Sequence, residues 1–507
     1  LFSRIGFFGR NPAPTTFFIR AQTELSTKSY GMTVKRLLKL ASGLLSSFAA
    51  FFSSMREARE STLRRPDDRI EEFRQWGFYS EKFEGKPRVL MAAGHGYGNV
   101  GDEAQCGACV DRWRAVAPDC RITLFSPNPA YTEALHSERA EWAPRVAWFR
   151  SNTDGPYFKE GRWFRRFFFF LRLRLELSCR FMRAGIPFSL LHPREQYILQ
   201  LIQEHDILHI SGGGFLTGKT RSRLWENCLL MRMCQLLNKP YMLTGHNIGV
   251  FQDEADRKIA RMGLSKARLI GLRDRGISER ELAEIGIVGE HVRSTCDDAL
   301  LCHRLGVAEV KSYLADAGLD SEQPWVAVQF HYWGQAEGER EKIEQRYAEI
   351  CDKIVAEHGL QVVLIAMTPS DIEPEERLLS LMKEPAVLAP YSPDYKVVRG
   401  IIADARMIFT MKHHPIVFAQ GEGVPIVGVS LDDYYYHKNK GALDNTGHGD
   451  YLVSAEGFYT DLPEQLIARA LDSREEIRAQ MIVWVGEMKQ IELPEYQKVL
   501  ETLNRSI

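Results

Sequence analysis

The chain has 507 residues, 45% of them hydrophobic and 26% charged, with a formal net charge of −1. Such a length suggests two or three domains with material for more than one core. The balanced charge gives nucleic acid no electrostatic footing as a partner, and nine cysteines without a framework of spacings point away from a disulfide scaffold, toward a reduced, cytoplasmic setting.

Residues 1–40 carry seven Lys/Arg and one acid, Glu24, among several Ser and Thr, a composition like that of an organelle transit peptide. The apolar run over 40–52 contains three serines, and it is shorter than the roughly 20 residues a spanning helix needs. The chain opens on Leu1, which fits a fragment, a processed chain or an over-extended reading frame. Signal anchor, transit peptide and plain extension stay open; residues 1–86 are read as an extension outside the fold.

From Pro87 onward, strand, glycine loop and helix repeat. An apolar strand over 89–93 leads into a loop with Gly94, Gly96, Gly98 and Gly101, then a helix over 102–114. Glycines there permit positive φ and close approach of a ligand to the backbone, and the amides at the following helix start favour an anion. Cys106 and Cys109 form a C-x-x-C, but with Val110 and Trp113 they recur at helical spacing, so both thiols are expected to face the core. No second C-x-x-C or spaced His pair completes a metal site, and none is expected.

The segment Arg162–Arg183 has seven arginines, one acid and the run Phe167 to Phe170. Its basic amphipathic pattern allows peripheral contact with an anionic membrane surface or an exposed helix packing its Phe side on the domain. Strand 206–211 then precedes Gly212, Gly213 and Gly214, and a helix follows over 222–237. The run from Gly213 to Thr220 matches the Walker A spacing, which would put Lys219 on phosphates and Thr220 on Mg²⁺. It lacks a later Walker B strand and lies mid-series, both of which count against a nucleotide loop.

Strand 240–244 ends at Gly245 and His246, strand 267–272 at Arg273 and Asp274, and strand 292–296 at Asp297 and Asp298. A second series begins with strand 325–330 and a long helix over 338–358. It continues through strand 361–366, helix 374–383 opened by Pro374, strand 407–410, a helix from His414, and strand 425–429. Alternating strands and helices predict parallel sheets covered on both faces. Two series predict an α/β protein of two doubly wound, Rossmann-like domains facing a cleft, over 87–300 and 301–480, with a C-terminal helix over 481–507.

Arg273 at a strand end can hold carboxylate or phosphate in a planar, two-pronged way; an ion pair with Asp274 is the plainer alternative. Lys412 can hold an anion as a point charge. His413 and His414 stand at a helix start, where the dipole lowers an imidazole pKa and bound phosphate raises it again. Adjacent histidines diverge on a helix, so at most one is catalytic. Tyr434 to Lys438, after Asp432 and Asp433, offers aromatics with polar tips that suit a sugar face or simple packing.

Taken together these motifs resemble the polysaccharide pyruvyl transferase family. The elements are Gly96 to Asp102, Ile210 to Gly214, Leu272 to Asp274 with Ser278, Asp297 to Ala299, and Lys412 to His414 leading into Phe418, Ala419 and Gly423 to Pro425. The resemblance implies a GT-B-like pair of domains and transfer of a pyruvyl group from phosphoenolpyruvate to a sugar hydroxyl, commonly as a pyruvate ketal. It implies His414 at the catalytic position. Arg273 and Lys412 would hold the donor's anionic groups, with the Gly212, Gly213 and Gly214 amides and flanking His246 and His413. The acceptor would be a glycan or glycolipid, and no resident cofactor or metal is expected, phosphoenolpyruvate being a substrate. The family has Arg-Leu-His where this chain has Lys412, His413 and His414, so the cation keeps its charge and loses bidentate geometry. The Gly94 loop is expected to shape the acceptor side or the cleft floor, with Asn99 and Asp102 as polar handles. A sugar-nucleotide glycosyltransferase on the same plan and a catalytically silent glycan binder stand as alternatives.

Overall fold

The computed structural model describes residues 86–149, 161–186, 188–274, 276–320, 322–332 and 337–504. The extension read over 1–86 therefore lies almost wholly outside the described residues, as does Arg275. Gly161–Phe169 belongs to a compact unit separate from the remainder of the described chain.

Two parallel sheets organise that remainder. The first holds β1 (Arg88–Ala92), β2 (Arg121–Ser126), β3 (Arg139–Trp142), β4 (Ile207–Ile210), β5 (Gly213–Leu216), β6 (Tyr241–Ile248), β7 (Ile270–Leu272) and β8 (Val292–Ser294). Their order is β3-β2-β1-β4-β6-β7-β8, with β5 paired to β6. The second holds β9 (Trp325–Gln329), β10 (Gln361–Leu364), β11 (Ala386–Leu388), β12 (Ile408–Thr410), β13 (Ile426–Ser430) and β14 (Leu452–Ser454), in the order β11-β10-β9-β12-β13-β14. Each sheet thus winds outward from its first strand in both directions. The chain reverses between β1 and β4 in one sheet and between β9 and β12 in the other, and ligands of such sheets sit beyond the strand ends at those reversals. The α/β fold of two doubly wound domains is as expected from the alternation.

The central strands are buried on both faces and read as continuous apolar runs. Helix Val100–Val116 is nearly all buried because it lies between the two cores. Val100, Ala104 and Ala108 join the second domain's apolar cluster, while Cys106, Cys109, Val110 and Trp113 join the first's. Both thiols are indeed inside, and burial pushes both well up.

Several boundaries differ from expectation. The triple glycine is not a loop: Gly213 opens the extended strand β5, in register with His246 through a bulge. Strand β6 runs on through His246 and Asn247, past the break expected at Gly245. Pro374 is not the first residue of its helix, which starts at Ile372 behind a tighter turn opened by Pro369. The C-terminal helix begins at Arg474, and its later part returns to the first domain. There Tyr496 packs edge-on to Trp113 at 5.2 Å, and Glu492 Oε1 accepts from the Cys296 amide at 3.3 Å.

In the basic helix Arg162–Arg183, Leu171, Leu175 and Cys179 are buried. Arg172 donates to Glu176 at 2.8 Å and Arg174 to Glu195 at 2.7 Å. From Phe170 onward it is a packed element, and Arg172, Arg174 and Arg183 bond to the protein itself. Among the described residues, no helix is long and apolar enough to cross a membrane.

Candidate active site

The loop after β1 is fastened to the second domain. Val100 N donates to Met367 O at 2.9 Å, and Tyr391 Oη donates to Gly98 O at 2.6 Å. Gly96 and Gly98 take φ of 95° and 75°, the left-handed region that glycine adopts freely. The loop's amides are already engaged: Gly96 N donates to Glu103 at 2.8 Å, and Gly101 N to Asn99 Oδ1 at 3.1 Å. The expected open anion cradle at this helix start is therefore filled. Asn99 is the helix N-cap and Asp102 packs on Gly94. Above Gly101 lies His414: a Cβ built on that glycine would collide with its imidazole.

Helix His413–Glu422 starts directly after β12, so both histidines enter the cleft from the second domain. They diverge, with ring centroids 5.5 Å apart and planes at 69°. His413 Nε2 lies 3.3 Å from Asp297 Oδ2, whereas His414 Nε2 is buried with no hydrogen-bond partner. Burial, aided by Arg273 and Lys438, pushes His413 down to about 3. Burial outweighs the opposing Asp297 and Asp102 to push His414 down to about 3 as well. The direction matches the expectation for a helix start, but desolvation is the chief cause.

Arg273, at the end of β7, is 4% exposed. It ion-pairs with Asp297, donates from Nε to Asn247 at 2.5 Å, and leaves one terminal nitrogen buried without a partner. Its pairing is across the site to Asp297, not to the adjacent Asp274, which instead accepts from Ser278 Oγ at 2.5 Å. Burial alone would raise Asp297, but Arg273 and the two histidines hold its carboxyl well below the usual range.

The glycines after β4 differ in access. Gly212 N donates to the buried Asp298 at 2.7 Å, and a Cβ on Gly213 would collide with the Phe215 ring. Only Gly214 opens onto the cleft. His246 is fully buried against Phe215, ring centroids 5.2 Å apart, with Nε2 at 3.3 Å from Ile210 O. It supports the floor and does not line the opening; burial pushes it down to about 4.

Lys412 is also committed elsewhere. Its ammonium lies 2.6 Å from both carboxylate oxygens of Asp371, which is fully buried behind β10 and takes a further contact from His331 at 3.1 Å. Burial would raise Asp371, but Lys412 and His331 hold it down at about 2.

The Walker A spacing does not build a phosphate nest. Its first residues are strand β5, Thr220 Oγ1 donates to Phe215 O at 2.8 Å, and Lys219 sits over the Tyr434 ring at 4.1 Å.

Two side chains of the site are not evident from sequence. Asp371 reads there as an ordinary turn residue. Lys438, on helix Asp433–Asp444 after β13, reaches into the cleft beside Arg273, although the Tyr434 to Lys438 segment draws notice only for its aromatics. The signal that could have found Lys438 is its spacing of four from Tyr434, which puts both on one helix face. Tyr434 Oη and Lys438 Nζ do lie together, 3.6 and 3.9 Å from a Cβ placed on Gly214.

Two doubly wound sheets thus present their reversal points to one cleft, where Arg273, Lys438 and two imidazoles that burial holds well down stand together. The polysaccharide pyruvyl transferase family matches residues 99–433, and the chain belongs to that family. It is similar to the amylovoran biosynthesis protein AmsJ of Erwinia amylovora, 20% identical over 424 residues, covering 78% of this chain and 94% of that protein. Among solved structures, it is similar to a glycosyltransferase from Rickettsia africae (TM-score 0.47, 11% identity, covering 82% and 99% of the two chains). It is also similar to Anabaena HepE in complex with UDP (TM-score 0.46, 12% identity, covering 83% and 100%).

Proposed function

We propose that the chain transfers a pyruvyl group from phosphoenolpyruvate to a sugar hydroxyl of a glycan or glycolipid, forming a pyruvate ketal. The observation that carries this reading is that Arg273 and His414, each with one unpartnered nitrogen, both stand beside Asp297 within the family-matched span. The family's description, which names polysaccharide, accords with a glycan acceptor.

The chemistry suits these groups. A proton added to the donor's methylene carbon leaves an oxocarbenium-like centre at C2. A sugar hydroxyl adds there and gives up its proton; the C2–O bond to phosphate breaks, and a second hydroxyl closes the ketal, its proton leaving with the phosphate. His414 is the proposed acid. Burial favours its neutral imidazole, and a bound phosphoryl anion raises its pKa toward the range where it can deliver a proton. Arg273 fixes the donor's anion, and the drying of the cleft between the two domains strengthens both interactions.

A thermal-shift screen with phosphoenolpyruvate, UDP-glucose and Mg-ATP tests this. Stabilisation by phosphoenolpyruvate, lost in Arg273→Ala, is the expected result. Stabilisation by ATP that depends on Lys219 would replace this reading with a nucleotide-loop one, and a response to UDP-glucose alone would favour a glycosyltransferase. If phosphate release in the presence of acceptor is unchanged in His414→Ala, the acid is misassigned.

A further inference from the structure

The ammonium of Lys412 is held by both oxygens of a fully buried carboxylate. A cation so paired has little attraction left for a ligand. After the next strand of the same sheet the balance is reversed. Lys438 has no hydrogen bond or ion pair to its ammonium among the described residues, although it is half-buried and desolvation, with Arg273 beside it, pushes it down to about 8. The nearby carboxylates are Asp102 and Asp297, and Asp297 is already bonded to Arg273 and contacted by His413. Arg273 Nη2 and Lys438 Nζ stand 3.3 and 3.9 Å from the point where a Cβ on Gly214 would be, and Tyr434 Oη stands 3.6 Å from it. Two cations and a hydroxyl therefore surround a space that only glycine leaves empty. Like charges held this close repel unless an anion lies between them. Lys438 also falls beyond the matched family span, which ends at residue 433.

We propose that Arg273, Lys438 and Tyr434 form a seat over Gly214 for a phosphoryl group, and that Lys438, rather than the Asp371-bound Lys412, supplies its second cation. The seat rests on the proposed pyruvyl donor only for the identity of its occupant. A phosphoryl group reaches it from phosphoenolpyruvate or from the diphosphate of a sugar nucleotide. Lys219, stacked on Tyr434, braces the phenol from behind.

Calorimetric titration of the full chain with inorganic phosphate, phosphoenolpyruvate and UDP separates these sources. Losing one charge-assisted contact is expected to weaken phosphate and phosphoenolpyruvate about tenfold to a hundredfold in Lys438→Met. Lys438→Arg is expected to restore most of that affinity, and Lys412→Met to change it much less than Lys438→Met does. A melting curve of each variant establishes that it is folded, with Lys438→Gln as the substitute if the methionine variant is not. Unchanged phosphate affinity in folded Lys438→Met or Lys438→Gln overturns the seat, as does the absence of any phosphate or phosphoenolpyruvate or UDP binding to the parent chain. UDP binding that depends on Lys438, without phosphoenolpyruvate binding, keeps the seat and overturns the donor reading. Phosphoenolpyruvate binding that is indifferent to Lys438 does the reverse.

Discussion

Two glycine-rich segments border the cleft, one after β1 and one after β4, and they look alike as strings of residues. In the fold they do opposite things. The first has its amides engaged by Glu103 and Asn99 and is bonded across the cleft to Met367 and Tyr391. The second is closed at Gly212 and Gly213 and open only at Gly214, where cations gather. Glycine in the first makes room for protein; in the second only Gly214 is left for the proposed ligand. A glycine loop is therefore read by what stands within a methyl group's reach of each Cα, which spacing alone does not reveal.

The comparison predicts different damage from the same added methyl. Gly101→Ala drives a Cβ into the His414 imidazole. The displaced acid should cost about a hundredfold or more in kcat, with about 1–3 kcal/mol of stability lost to overpacking. Steady-state kinetics and denaturant unfolding check both. Gly214→Ala has its nearest neighbour at 3.3 Å, Nη2 of Arg273, against 1.9 Å to the imidazole at Gly101. Its unfolding midpoint should stay near that of the parent while the donor KM rises about tenfold, roughly one lost anion contact. A stability loss as large as that of Gly101→Ala would remove the distinction between the loops.

Acid should treat the two loops alike. His95, in the first, is held down at about 3 by burial and by His136, and His246, beneath the second, at about 4 by burial. Both are neutral in the fold and bind a proton more readily when unfolded, near 6.5. Between those values the unfolded chain carries more protons, so stability falls as pH drops below about 6.5 toward 4. Denaturant melts across that window should show the slope, and His95→Gln and His246→Gln should each flatten it. The smallest effect is expected from Tyr391→Phe, which removes one bond to the first loop and should lower stability by about 1 kcal/mol. A larger fall in kcat than in stability would show that this fastening also positions His414.

Much of the architecture is legible in the sequence. Apolar runs and glycine loops alternate so regularly that two doubly wound domains follow from them, and Arg273 and His414 stand at strand and helix ends where such folds bind. The buried pair Cys106 and Cys109 follows from helical spacing. Strand β5 does not, because three successive glycines carry no side-chain alternation. Lys412 can be seen as a cation but not as an engaged one, since Asp371 lies 41 residues earlier in the chain and meets it only when β10 and β12 are both in the sheet. Lys438 is hidden for a related reason: its helix turns toward the cleft only after β13 has been laid down.

The returning C-terminal helix bears on the order in which the chain can fold during synthesis. The first domain's strands are complete by Ser294, yet its interior still lacks the Tyr496 ring, and the Cys296 amide still lacks Glu492. A ribosome that has delivered every described strand of that domain has therefore not delivered all of its core. Domains emerging first commonly fold first; here the earlier domain must remain incomplete until Glu492, 196 residues beyond Cys296, has been made. A fragment ending before Arg474 would keep all fourteen strands and leave this first interior open to solvent.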